Sequence, residues 1–150
     1  MDFLLVDKTN IIQCNQGTSA TPLIIRPEKR VFIFSLMPKS GKDPKKQESA
    51  RSYISPGSGK DHIPFLNVSS FGLCRSLKNP AVLAATIVRL GQLTPMPCTP
   101  MTNQPWVPQS PHVAIEGFTA LTNEAKLHCL FGGIIQVVNP GQFWVMVNPR

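Results

Sequence analysis

Apolar and polar positions alternate in short bursts along this chain. The segment FLLVDKTNIIQC, residues 3–14, reads as two short strands around a Lys8-Thr9-Asn10 turn, and TPLIIRP followed by RVFIFSL supplies two more. From Met37 to Lys60 large apolar residues give way to Lys, Ser, Gly and Pro, which predicts a basic surface insertion at about 38–60. DHIPFLNVSSFGLC then resumes the alternation. NPAVLAATIVRLG is the one helix candidate: Asn79 can cap, Pro80 suits the first helical position, and Gly91 can sit past the end. This predicts one short helix near residues 80–90.

After the helix, six prolines between Thr94 and Pro111 exclude a regular ladder and predict an extended connection carrying Cys98 and Trp106. HVAIEGFTALT, KLHCLFGGIIQVV and FWVMV return to strands. Two segments echo each other. NIIQCNQGTSATPLII and KLHCLFGGIIQVV both place a cysteine after an apolar run, with a glycine three residues on and β-branched residues beyond.

Composition narrows this to one mainly β domain spanning 1–150, since 150 residues leave little room for a second core. Charged residues make up 15% of the chain, against about a quarter in soluble domains, so much of the surface is uncharged and suited to docking. The net charge of +7 is local: nine of the fifteen cations lie between Arg26 and Lys60. That distribution argues against a nucleic-acid binder using a whole folded face. The start, MDFLLVDKTN, lacks a secretory pattern, and no apolar run approaches the roughly 18 residues of a membrane span. Synthesis and folding in the cytosol are expected, where thiols stay reduced.

The candidate chemistry lies in Cys14, Cys74, Cys98 and Cys129, each beside turn-forming residues. Four thiolates from separate turns can build a tetrahedral zinc or iron site, although the spacing is not that of a zinc ribbon. Four buried thiols filling a core is the alternative. His62 could replace one cysteine as ligand. His128 adjoins Cys129 and, on a strand, points to the opposite face, so the two make a poor catalytic pair. No catalytic signature stands out. The eight acidic residues form no carboxylate pair, and PGSGK at 56–60 lacks the Ser or Thr after Lys that a phosphate loop requires.

Taken together, FLNVSSFGLCRSLKNPAVLAAT, GQLTPMPCTPMTNQPWVPQSP and KLHCLFGGIIQVVNPGQ resemble the PAAR-like proteins, the spike tips of contractile injection machines such as type VI secretion systems. The likeness runs in order over residues 61–142 and is weaker over 11–36, where Gln16 stands in place of the family's aromatic. The resemblance implies a small β-cone seated on a trimeric VgrG-like spike protein. It implies a non-enzymatic role: sharpening the spike for envelope puncture, contacting the target membrane transiently and attaching any effector, with no specific nucleic acid. It also implies a structural metal ion, zinc before iron, held by Cys14, Cys74, Cys98 and Cys129, and a protein made in the bacterial cytoplasm and ejected from it. Disulfides joining Cys14 to Cys129 and Cys74 to Cys98 after ejection are the competing fate of the thiols. Two other functions compete: a basic metal-binding module contacting nucleic acid through residues 38–60, and a cysteine hydrolase, which needs a thiol of depressed pKa.

Overall fold

Ile12 and Cys14 face inward while Ile11 and Gln13 face solvent, the period-two pattern of a half-buried strand. The computed structural model describes residues 2–7, 9–26, 31–35, 52–108, 110 and 112–147. Among these, the strands in chain order are β1 (Asp2–Phe3), β2 (Ile11–Cys14), β3 (Ala20–Thr21), β4 (Ile33–Ser35), β5 (Ser52–Ile54) and β6 (Leu73–Cys74), then β7 (Met96–Pro97), β8 (Ala114–Ile115), β9 (Phe118–Thr119), β10 (Lys126–His128), β11 (Ile134–Asn139) and β12 (Met146–Val147). One helix, α1 (Pro80–Val88), lies between β6 and β7.

The largest sheet has the antiparallel order β10-β11-β2-β3, with Cys14 opposite Ile135 and Leu127 opposite the same residue from the other side. The other strands pair as two-stranded ribbons, β1-β12, β4-β5, β6-β7 and β8-β9. Among the described residues the protein is therefore mainly β, a small single domain of several short antiparallel sheets with one helix, as its alternation and proline content predict.

The helix follows its local signals. Asn79 Oδ1 accepts from Ala81 N at 3.0 Å and Pro80 opens the first turn. Leu90 and Gly91, at φ 55° and 89°, then reverse the chain. Asn10 does more than mark a turn: it is buried, donates to Val6 O (2.7 Å) and Leu23 O (3.0 Å), and accepts from Leu23 N (2.6 Å). The proline-rich connection is extended, and it buries Trp106 completely, with Nε1 donating to Asp61 O at 2.9 Å.

The predicted basic insertion divides in two. Residues 38–51 lie outside the described residues, whereas Ser52–Ile54 form β5 and the following turn is core. Ile54, Ser55 and Ser58 are buried, and Gly57 is bonded to Leu5 and Leu121 on either side. Small and turn-forming residues in SPGSG read as a solvated loop, yet here they let the chain pass close to Ile25 and Leu121.

The main core joins Leu5, Ile12, Leu23, Ile25, Val68, Phe71, Trp106, Leu121, Leu127 and Ile135. Cys14 belongs to it, and Cys98 packs against it.

Candidate metal centre

Cys14 and Cys129 open turns of the same kind. Gly17 N donates back to Cys14 O at 3.1 Å and Gly132 N donates back to Cys129 O at 2.9 Å, so each Cys-x-x-Gly segment is a closed four-residue turn. These are the two segments that echo each other in the sequence. They lie at the same end of one sheet, because β2 and β10 flank β11 on opposite sides. Asn15 pins the first turn to the strand between them, donating from its N to Ile134 O (3.0 Å) and accepting at Oδ1 from Ile134 N (2.9 Å).

The other two thiols are tied to the same place by backbone bonds. Cys74 bridges Gly17, and Arg75 N donates to Gln16 O at 2.9 Å. Cys98 N donates to Gly72 O at 2.8 Å, and Leu130 N donates to Met101 O at 3.0 Å, which joins the proline-rich connection to the Cys129 turn.

The result is convergence. Cys14, Cys74, Cys98 and Cys129, drawn from four segments, line one small cavity with Phe71, Phe131 and Ile135. It encloses about 10 Å³, at the lower limit for one water molecule. Cys14 and Cys74 are buried, and Cys98 and Cys129 half-buried.

Gly133 completes the wall. A Cβ there would lie 2.6 Å from Cys14 Sγ and 3.6 Å from Cys129 Cβ, so a side chain at 133 would collide with the Cys14 thiol and crowd Cys129. Gly133, Phe71 and Phe131 escape a reading based on cysteine spacing. The Gly132-Gly133 doublet is the one local signal that could have pointed to a close approach.

Burial pushes the Cys14 thiol above its usual range, and the neighbouring Cys129 and Cys98 push the same way against lowering backbone hydrogen bonds from Gln16 and Gly17. Cys98 is also raised, again chiefly by burial and then by Cys74 and Cys129, while hydrogen bonds from the Phe71 backbone and the Ser70 side chain oppose the shift. A nucleophilic cysteine needs the opposite displacement. Backbone donors converging on sulfur favour the thiolate, the form a metal takes.

The donor chemistry fits a thiophilic ion such as zinc or iron. Tetrahedral ligation at about 2.3 Å from each sulfur would draw the sulfurs to roughly 3.8 Å of one another. Among the described residues, no three His, Cys, Asp or Glu side chains already stand as a ligand shell, so binding would require the thiols to turn further toward the cavity. A Cys74–Cys98 disulfide fits less well. The β6-β7 register sets Cys98 opposite Gly72, so Cys74 and Cys98 are diagonal neighbours. Diagonal positions lie about 7–8 Å apart, at or beyond the reach of a disulfide.

His62 does not line this cavity. Its ring nitrogen Nδ1 pairs with Thr102 O at 3.0 Å, and Thr102 Oγ1 donates to His62 O at 2.5 Å. That reciprocal link holds the imidazole to the proline-rich connection, apart from the cavity that the four cysteines line.

No curated protein and no solved structure matches the chain. A family model described as a domain of unknown function (DUF4280) matches residues 6–142, a span that takes in all four cysteines and every element from β2 to β11. The chain belongs to that family.

Proposed function

We propose that this protein is the non-enzymatic tip of a contractile injection machine, seated on a trimeric VgrG-like spike and braced by a metal ion at Cys14, Cys74, Cys98 and Cys129. One observation carries the reading: thiols as far apart in sequence as Cys14 and Cys129 meet at a single cavity, at the positions where the PAAR-like resemblance places cysteine. A metal bound there would cross-link four segments at one end of the main sheet. Structural zinc contributes on the order of 10 kcal/mol in small domains, a large gain for a fold of two- to six-residue strands.

The raised pKa values of Cys14 and Cys98 support a structural rather than a nucleophilic role. The proposal includes a conical shape, assembly from the bacterial cytoplasm, ejection with the spike, and attachment of any effector to the tip.

The test is co-expression with VgrG-like spike trimers from the same organism, followed by size-exclusion chromatography with light scattering. The reading expects one copy of this chain per three spike chains. Separate elution of the two proteins in metal-replete buffer would overturn it.

A further inference from the structure

Helix α1 and the turn after it form an apolar knob. Only Val82 and Thr86 of the helix are buried, and α1 packs beside β7. The rest of its surface is apolar yet wet: Ile87 is 65% exposed, Val88 82% and Leu90 98%. Leu83 and Leu93 are exposed as well. Leu90 is held outward by its own φ of 55° and by Gly91, whose N–H donates to Thr86 O at 2.9 Å.

A helix that packs into a protein groove needs one apolar stripe and keeps polar residues elsewhere. A helix apolar on every side not already packed matches a medium that is apolar in every direction. Charge points the same way. From His62 to Ile115 the sequence contains no Asp or Glu, while Arg75, Lys78 and Arg89, which flank α1 in the sequence, are all exposed, Arg75 reaching Asn15 O at 3.5 Å and the Lys78 stem lying beside Gly132. That field complements an anionic surface. At nine residues, α1 is about 14 Å long, roughly half the hydrocarbon thickness of a bilayer. Among the described residues no helix is long and apolar enough to cross a membrane.

We propose that this knob docks onto anionic lipid bilayers, placing Ile87, Val88 and Leu90 among the acyl chains of one leaflet and Arg75, Lys78 and Arg89 among the headgroup phosphates. Such docking is independent of whether the chain caps a spike.

The test is flotation of the full chain with phosphatidylcholine vesicles, with and without phosphatidylglycerol. The expected result is partition onto the anionic vesicles that weakens with salt. Val88→Glu and Leu90→Glu should each lower the partition coefficient roughly tenfold or more. Both side chains are exposed, so folding should be retained, and an unchanged Tm checks it. Val138→Glu, at an exposed apolar position away from the knob, should leave partition intact. Absence of partition overturns the proposal, as does equal partition of the knob variants. Lipid-free self-association abolished by Val88→Glu, without vesicle binding, also overturns it and assigns the face to a second copy of the chain.

Discussion

Gly133 passes so close to Cys14 that a methyl group on it would lie 2.6 Å from the Cys14 sulfur. The contact joins two strands, because Cys14 ends β2 and Gly133 immediately precedes β11. The turn at Cys14 therefore depends on the absence of a side chain more than a hundred residues away.

Gly133→Ala should disturb the thiol cluster more than the backbone, since Gly133 does not adopt the positive φ seen at Gly132. Overpacking of this kind costs about 1–3 kcal/mol. The variant should show a lower Tm and reduced metal content in elemental analysis. Unchanged values for both would mean that the cavity wall yields freely.

Natively purified protein should carry about one zinc or iron per chain, as set by tetrathiolate ligation. Cys→Ser at positions 14, 74, 98 or 129 should lower metal content and thermal stability together. Metal-free wild-type protein as stable as the metal-replete sample would reduce the thiols to core packing.

The metal-free form should lose stability in alkali. Folding raises the Cys14 and Cys98 pKa values above the reference of 9.0, so the folded state holds these protons more tightly than the unfolded chain. The resulting stabilisation is complete below pH 9 and disappears as pH rises through the folded-state values. Urea midpoints of metal-free protein should fall as pH rises above 9, and less so in Cys14→Ser. A midpoint that rises over that window contradicts the burial of neutral thiols.

Asn10→Ala should be among the most damaging single changes away from the thiols. It leaves Leu23 N–H, Val6 O and Leu23 O without the side-chain partner each now has. A buried polar group left unsatisfied costs about 1–3 kcal/mol. Denaturant unfolding should register a loss of at least that size, whereas a change under about 0.5 kcal/mol, the level of an ordinary surface substitution, would show that solvent or another group takes over the bonds.

How far the sequence could be read depended on the range of the interaction. The α1 cap at Asn79, the alternation of Ile11 to Cys14 and the two Cys-x-x-Gly turns were all legible, because each is closed by bonds within a few residues. The four cysteines could be named as candidates, since thiols beside turns are visible in any sequence. Their meeting point was not legible. It requires β2 to pair with β11 across more than a hundred residues, and Cys74 and Cys98 to be carried in by β6 and β7.

Tertiary structure also decided two matters against local appearance. The SPGSG turn is buried because small residues let it thread between Leu5 and Leu121, although its composition resembles a solvated loop. His62 lies away from the thiol cavity, its Nδ1 paired with Thr102 O, and the route of the proline-rich connection sets that pairing. By itself the sequence determined the short elements, helix α1 and the four thiols as candidates, through propensities and turns that act locally. Only the folded chain decided which donors share a cavity, because that outcome depends on the burial of many distant apolar side chains at once.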